Sequence, residues 1–214
     1  MSRVRFTISM SFDGFTAGPN QSVANPLGIG GESLHEWVVE LAVWRRAHGM
    51  SGGEVNESTP IVEESIAGIG ATVMGRNMFG GHPGPWTSEK PWKGWWGVNP
   101  PFHHPVFVLT HHPREPLELE GGTTFTFVTT GVAAAIDQAR RAAGGKDVSV
   151  AGGANAAQQC LTAGVVDEMS INVAPIFLGS GERLFHGIGD DLHGLKLVRT
   201  VVAPKAIHFK FARR

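Results

Sequence analysis

The stretch Val148-Ser149-Val150-Ala151-Gly152-Gly153-Ala154-Asn155 decides the fold class, because it predicts a strand that passes through two glycines into a helix. Glycines let a ligand approach the backbone, and the free N–H groups at the start of the helix, with its dipole, favour phosphate. An ordinary tight turn between a strand and a helix is the alternative interpretation. The sequence has neither G-x-G-x-x-G here nor G-x-x-x-x-G-K-[ST] anywhere, which disfavours the usual dinucleotide-binding fold and P-loop enzymes.

Strands and helices alternate on both sides of this stretch. The pattern predicts strands over Val4–Ser11, Ala71–Met74, Pro105–Thr110, Thr124–Val128, Asp147–Ala151, Val166–Ala174, Leu195–Val202 and Ala206–Phe211. It predicts helices over Glu32–Ala47, Thr59–Ala67, Val132–Ala143 and Ala154–Ala163. The alternation indicates an α/β fold: a mostly parallel central sheet flanked by helices, with a C-terminal antiparallel hairpin at its edge. We expect residues 1–214 to form a single domain.

The composition excludes several classes of protein. Hydrophobic residues make up 42% of the 214 residues and the formal net charge is −1, which argues against a disordered chain and a nucleic-acid partner. The single cysteine excludes a disulfide framework and zinc sites built from several cysteines. Since no apolar run could span a membrane and no signal core follows Met1, we expect a cytoplasmic protein with no membrane partner.

Two further segments place polar groups where a predicted strand ends. Gly75-Arg76-Asn77 follows one strand, and its arginine can fork onto a phosphate; Thr110-His111 ends the next strand with potential donors to an anion. Each segment alone is also compatible with an ordinary polar turn. Ligands of open α/β sheets bind at the carboxyl ends of strands, so the three segments together predict a phosphate-binding edge.

The histidines and the cysteine carry no metal or nucleophile signature. His103-His104 and His111-His112 bracket one predicted strand, but neighbouring residues of an extended segment point to opposite faces and chelate poorly. The sequence contains no H-E-x-x-H, H-x-x-E-H or G-x-S-x-G motif. We therefore expect no metal site, and we expect Cys160 to be a buried structural thiol.

Several segments together resemble the dihydrofolate-reductase-like superfamily, and more closely the reductase domain of the riboflavin-biosynthesis deaminase-reductase. They are Ser9–Phe15 (SMSFDGF), Val73–Phe79 (VMGRNMF), Val106–Pro113, Ala151–Ala154 (AGGA), and Val166-Asp167-Glu168 followed by Pro175–Gly181 (PIFLGSG). Their order and spacing extend the resemblance over nearly the whole chain. The acidic residue that folate reductases place early in their first helix has no clear counterpart, although Glu32, His35 and Glu36 lie nearby.

The resemblance implies a mostly parallel sheet of eight strands, with NADPH lying across the strand ends. The nicotinamide would face Ala17 and Gly18. Phosphates would be held by Gly75, Arg76, Asn77 and Met78, with Arg76 near the adenosine 2′-phosphate and Thr110 and His111 on its other side. The pyrophosphate would be cradled by Gly152, Gly153, Ala154 and Asn155.

Together these features favour an NADPH-dependent reductase of a planar heterocycle: an aminouracil of the 5-amino-6-(5-phosphoribosylamino)uracil type, a pterin or folate, or a flavin. The alternative is a non-catalytic nucleotide- or flavin-binding module of the same fold. The arginine at position 76, with Thr110 and His111, predicts a preference for NADPH over NADH.

Three side chains are candidates for contact with the substrate. Asp13 lies beside the expected nicotinamide loop and is the candidate acid or substrate anchor; ordering of its own Asp-Gly turn is the alternative. Trp95 and Trp96 are the candidate substrate-stacking residues, with a dimer contact or packing on the first helix as the alternatives. The clustered tryptophans, the terminal hairpin and a charged fraction of only 17% also predict a homodimer.

Overall fold

The computed structural model describes residues 2–86, 92–189 and 192–213. The strands of this part of the chain are β1 (Val4–Ser11), β2 (Phe15–Ala17), β3 (Ile69–Gly75), β4 (Pro105–Leu109), β5 (Leu117–Glu118), β6 (Thr124–Val128), β7 (Asp147–Gly152), β8 (Glu168–Ala174), β9 (Glu182–Arg183), β10 (Leu195–Ala203) and β11 (Ala206–Arg213). Within those ranges, nine strands form one sheet in the order β10-β11-β8-β1-β7-β3-β4-β6-β5. Strands β2 and β9 pair separately as a short antiparallel ribbon.

The centre of the sheet is parallel from β8 to β6, with β1 between β8 and β7. Antiparallel pairing is confined to the β10–β11 hairpin, its junction with β8, and the short β5 beside β6. The predicted mostly parallel sheet with a C-terminal antiparallel hairpin is therefore confirmed. The sheet has one strand more than the eight that the resemblance implies, because the two residues of β5 pair with β6.

Helices cover both faces of the sheet. They are α1 (Glu36–Val39), α2 (Ala42–Ala47), α3 (Thr59–Ile66), α4 (Arg76–Phe79), α5 (Val132–Ala142) and α6 (Ala154–Thr162), with 3-10 turns over Gly31–His35 and Glu120–Gly122. The small residues Ala139 and Ala157 are fully buried against Val73 and Val150 of the sheet, so α5 and α6 can pack close to it. No helix within the described ranges is long and apolar enough to cross a membrane.

The prediction of a single helix over Glu32–Ala47 is wrong. The segment forms a 3-10 turn and two short helices, and Leu41 between them has an extended backbone (φ −72°, ψ 137°). The returning loop at Glu54 causes the break, because its N–H donates to the Glu40 carbonyl and its carbonyl accepts from the Ala42 N–H. These long-range hydrogen bonds replace the intrahelical ones, which an apolar spacing of three and four residues cannot reveal.

Ion pairs connect the strands at the amino-terminal edge of the parallel sheet. The Arg3 guanidinium lies 2.7 Å from Asp147 and 2.6 Å from Glu168, and the Lys210 ammonium lies 2.9 Å from Glu168. The network connects the first residues of β1, β7 and β8 to β11. Charged groups thus hold the strand starts in register, at the edge opposite the carboxyl ends.

A buried polar cluster joins the hairpin to the sheet and to α3. The imidazole of His208 is 4% exposed, with Nε2 2.8 Å from Ser58 Oγ and Nδ1 2.7 Å from Asn172 Oδ1. The Trp37 ring packs edge-on against it at 5.0 Å. Burial, with a smaller contribution from the positive charge of Arg199, lowers the pKa of His208 to about 4, so this ring is neutral at pH 7.

Acidification should destabilise the protein through His208. Between its folded pKa of about 4 and its usual value of 6.5, the unfolded chain binds a proton that the folded chain excludes. The full stability is therefore present above pH 6.5 and is lost as the pH falls toward 4, by an amount on the order of 3 kcal/mol. Urea unfolding at pH 7, 5.5 and 4.5 measures the loss.

Two histidine variants provide the control. His208→Gln offers an amide to Ser58 and Asn172 without a group that titrates, so its stability should fall less with pH than that of the wild type. His48→Gln, at an exposed position, should follow the wild type. An unchanged pH slope in His208→Gln would contradict the assignment.

Candidate functional site

The segment Val148–Asn155 shapes the carboxyl edge of the sheet. Between β3 and β7 the register shifts, so that Met74 pairs with Gly152 and Ala151 is the extra residue. Gly152 has φ +127°, a conformation that side chains disfavour, and the strand turns there into α6. The two glycines therefore redirect the chain and expose backbone N–H groups at this edge.

The N-terminus of α6 is open to a ligand. No side chain caps it, and the side chain of Asn155 instead accepts a hydrogen bond from Gln159 (2.6 Å). A Cβ added at Gly153 would have nothing within 4 Å, so the space in front of the helix is free. The first N–H groups of this nine-residue helix thus have no side-chain cap and face a cavity, an arrangement suited to an anion.

The predicted phosphate-binding segments meet around this helix end. A cavity of about 330 Å³, which we call the strand-end cavity, is lined by Gly75, Arg76, Asn77, Thr110, His111, Gly153, Ala154, Asn155 and Glu182, among others. The Thr110 N–H donates to Val128 (3.1 Å), and its hydroxyl accepts from the His112 N–H (3.2 Å), which fixes the turn after β4. The three segments lie together because parallel strands end at the same edge.

Arg76 makes contacts that the sequence did not reveal. Its guanidinium donates to the Gly80 carbonyl and to the His82 carbonyl (2.8 Å), and it stacks 3.4 Å from the centre of the Trp86 ring. Burial, and to a lesser extent the charge of Arg114, lower its pKa to about 10, so it stays cationic. Arg76 therefore brings positive charge to the strand-end cavity while two of its N–H groups hold the following loop.

A second cavity continues from the first. This cavity of about 260 Å³, which we call the tryptophan cavity, is lined by residues including Ser9, Ala17, His35, Met78, Trp95, Trp96, Gly152 and Glu182. The two cavities share Asn77, Gly153, Ala154 and Glu182, so they form one cleft along the strand ends. The cleft places the predicted nicotinamide loop and the diglycine on the walls of the same space.

Backbone contacts fix the loop that carries Ala17 and Gly18. The Gly18 N–H donates to the Leu27 carbonyl (2.8 Å), and a Cβ at Gly18 would collide with the Ile29 carbonyl. A Cβ at Gly181 would collide with the Ala17 carbonyl from the other side. Gly18 therefore shapes the wall without being one of the lining residues, whereas Ala17 lines the tryptophan cavity.

The tryptophans that precede β4 have two roles: some pack against the sheet and others line the cleft. Trp86 and Trp92 donate to the carbonyls of His112 (2.9 Å) and Phe79 (2.8 Å) and pack on the aromatic cluster around Phe79 and Phe125. Trp96 also contacts that cluster, yet it lines the tryptophan cavity together with Trp95. The predicted stacking residues thus lie on the cleft wall, and the segment packs on β4 and β6 rather than on the first helix.

The structure directs the Asp13 carboxylate into the loop next to it. It accepts hydrogen bonds from Ser11 Oγ (2.6 Å), the Gly179 N–H (2.7 Å) and the Leu178 N–H (3.1 Å). These bonds, led by the Ser11 hydroxyl, lower its pKa to about 2. A carboxylate with that pKa is ionised at neutral pH and holds no proton to donate, so the geometry favours the turn-ordering role over that of an acid.

Two titratable side chains that line the tryptophan cavity were not among the predicted site residues. His35 ends the 3-10 turn before α1, and the half-buried carboxyl group of Glu182 comes from β9. Burial lowers the pKa of His35 and raises that of Glu182. His35 could be found only as a residue near the first helix, and Glu182 directly follows the PIFLGSG segment.

Two further predictions from the sequence concern Cys160 and metal binding. Burial raises the pKa of Cys160 to about 12, which makes it an unreactive core thiol, as the sequence predicts. Across residues 2–86, 92–189 and 192–213, no group of three or more His, Cys, Asp or Glu side chains is placed to hold a metal ion.

Known proteins resemble this chain in sequence and in fold. The model of the family described as the RibD C-terminal domain matches residues 2–209. No curated protein matches the chain. The nearly complete match of the family model agrees with the resemblance seen in the sequence.

Solved structures share the fold. A putative riboflavin biosynthesis protein from Shewanella sp. PV-4 is 20% identical, with a TM-score of 0.58 over 100% of this chain and 99% of that one. RibD from Acinetobacter baumannii is 18% identical (TM-score 0.58), and this chain covers 58% of it. Dihydrofolate reductase from Enterococcus faecalis, complexed with NADP(H), is 15% identical (TM-score 0.53; 99% and 96% covered). At these identities the likeness shows the fold, and the dihydrofolate-reductase-like prediction is confirmed.

The contacts of Asp13 predict a stability change that depends on pH. Asp13→Asn should lower the melting temperature at pH 7, because the amide cannot replace an ionised acceptor for three donors. The folded pKa of about 2 lies below the usual 3.8, so the contribution of the carboxylate is complete above pH 4 and is lost as the pH falls toward 2. Melting curves at pH 7 and pH 3 should therefore show a smaller gap between variant and wild type at pH 3. Asp137→Asn, at an exposed position of α5, is the matched control, and a gap that does not depend on pH would contradict the role.

Proposed function

Because the chain belongs to the RibD C-terminal domain family, we propose that it is an oxidoreductase of the riboflavin-biosynthesis reductase type that reduces a planar heterocycle with NADPH. The observation that carries the proposal is the uncapped N-terminus of α6, which faces a cleft that continues into the tryptophan cavity. An anion-binding end and an aromatic end in one cleft suit a dinucleotide beside a flat ring.

The residues of the cleft fit NADPH. The pyrophosphate would be held by the N–H groups of Gly153, Ala154 and Asn155, where a Cβ on the first of these would still leave open space. Ala17 would border the nicotinamide, since it lines the tryptophan cavity with Gly152. When bound, NADPH supplies a hydride. The protein orders the two ligands and limits the access of water.

The preference for NADPH over NADH would come from positive charge near the strand ends. Arg76 lines the strand-end cavity with Thr110 and His111, and the second cation, Arg114, lies 4.8 Å from the same Trp86 ring on which Arg76 stacks. Two N–H groups of Arg76 are held by carbonyls, so we expect it to attract the 2′-phosphate by charge more than by a bidentate contact.

The heterocycle would occupy the tryptophan cavity. The indoles of Trp95 and Trp96, together with Met78, form an apolar wall against which a planar ring packs well. A structural neighbour from Thermotoga maritima (14% identical, TM-score 0.55), of which this chain covers 57%, is described as a diaminohydroxyphosphoribosylaminopyrimidine deaminase/5-amino-6-(5-phosphoribosylamino)uracil reductase. This aminouracil is one member of the substrate class that we propose.

The homodimer and the cytoplasmic location stay predictions. For the dimer, the hairpin offers β10 as the outermost strand of the sheet, with Leu197, Val198 and Val202 exposed on it. Light scattering at micromolar concentration should give about twice the monomer mass, and Val202→Lys should lower it. A wild-type mass near 22.8 kDa would contradict the dimer.

A pair of substitutions at Gly153 tests the cofactor site. Gly153→Asp places a carboxylate in the open space before α6, where it should cap the helix and also repel a phosphate. NADPH binding, measured by calorimetry, should weaken roughly tenfold or more, while the melting temperature stays equal or rises.

Gly153→Asn is the matched control, because it adds a cap of the same shape without charge. It should weaken NADPH binding less than Gly153→Asp does. Equal NADPH affinity in the wild type and Gly153→Asp would contradict the site, and tight flavin binding without NADPH binding would instead favour the non-catalytic flavin module.

A further inference from the structure

His35 occupies a distinct position in the cleft. It is the last residue of the 3-10 turn Gly31–His35, which packs against β1, β2 and β8, and it lines the tryptophan cavity but not the strand-end cavity. Ser9, Met78, Trp95 and Trp96 line the same cavity. The imidazole therefore lies where the heterocycle would bind and away from the phosphates.

The imidazole is not saturated by the protein. Its Nδ1 is buried without a hydrogen-bond partner of good geometry among the described residues. Burial lowers the pKa of the ring, and the nearby Gly31 carbonyl offsets this only in part. Because Nδ1 is enclosed beside the Gly31 backbone and Nε2 is not among the buried unpaired atoms, Nε2 is the ring nitrogen left to contact a ligand in the cavity.

We propose that His35 is a catalytic residue that hydrogen-bonds the bound heterocycle and supplies the proton that its reduction requires. The inference rests on the proposed reductase function. Reduction of a ring C=N bond adds a hydride to carbon and a proton to nitrogen: NADPH is oxidised to NADP+, the heterocycle gains two electrons, and His35 recovers its proton from solvent.

Other titratable groups near the cavity are less suited to this role. Asp13 is held in its loop by three donors and lines neither cavity. Glu182 is the other titratable group among the described lining residues, but it also lines the strand-end cavity beside the N-terminus of α6. Glu32, in the same 3-10 turn as His35, and Glu36, the first residue of α1, are exposed. His35 alone among these groups faces the tryptophan cavity without also facing the phosphate end.

Ligand binding to the complete protein tests the contact. The probes are pterin, 5,6-diaminouracil and riboflavin, added to the NADP+-saturated protein and followed by calorimetry and by NMR of the histidine rings. At least one probe should bind, should shift the His35 resonances and should leave those of the exposed His48 unchanged. His35→Gln should weaken that probe by roughly tenfold or more and leave the NADPH affinity within about twofold of the wild type.

The rate of NADPH oxidation with the same reducible probe separates proton supply from simple contact. In the wild type the rate should fall as the pH rises above the pKa of His35, because only the protonated ring donates, and His35→Gln should lose both rate and this pH dependence. His35→Asn is the second variant if the first does not fold, and the NMR measurement needs no variant.

Distinct outcomes separate this inference from the proposed function. Failure of the wild type to bind NADPH would overturn the function itself. If NADPH binds, three results would each overturn the role of His35 and leave the cofactor site intact. They are that no probe binds, that the His35 resonances do not move, or that His35→Gln binds the probe as tightly as the wild type. A wild-type pH profile retained in His35→Gln would also overturn it.

Discussion

The cleft depends on the shared direction of the strands from β8 to β6. Since these strands run parallel, the segments that follow them all emerge at one edge of the sheet, although they are far apart in sequence. The diglycine after β7, the Arg76 turn after β3 and Thr110 after β4 meet there for that reason. A slip in register between β3 and β7 would separate Gly152 from its partner Met74.

The two edges of the sheet differ in how their polar groups are satisfied. At the amino edge, Arg3, Lys210, Asp147 and Glu168 neutralise one another and tie four strands together. At the carboxyl edge, the first N–H groups of α6 lack a side-chain cap. Groups left unpaired by the fold are available to a ligand, whereas groups paired within it contribute to stability.

Sequence patterns predicted the helices and strands that depend on residues close together in the chain. The strands, the helix α5 and the glycines at the end of β7 could be predicted from the sequence. Periodicity and turn chemistry act within a few residues, so these elements are visible in short stretches of the chain. The helix over Glu32–Ala47 failed because the Glu54 loop takes over the hydrogen bonds at Leu41. The contacts of Arg76 with Trp86, and of Asp13 with the loop at Gly179, also arise from distant partners. His35 and Glu182 reach the cleft through a 3-10 turn and a two-residue strand, which have no periodicity to detect.

We propose that one cleft holds a dinucleotide with its phosphates at α6 and its nicotinamide next to the tryptophan cavity. A crystal structure of the protein with NADP+ tests this most directly. We expect pyrophosphate oxygens about 3 Å from the backbone nitrogens of Gly153, Ala154 or Asn155, with the nicotinamide ring against Ala17. A cofactor bound in the reverse direction, with its adenine beside Trp95, or bound outside this cleft would contradict it.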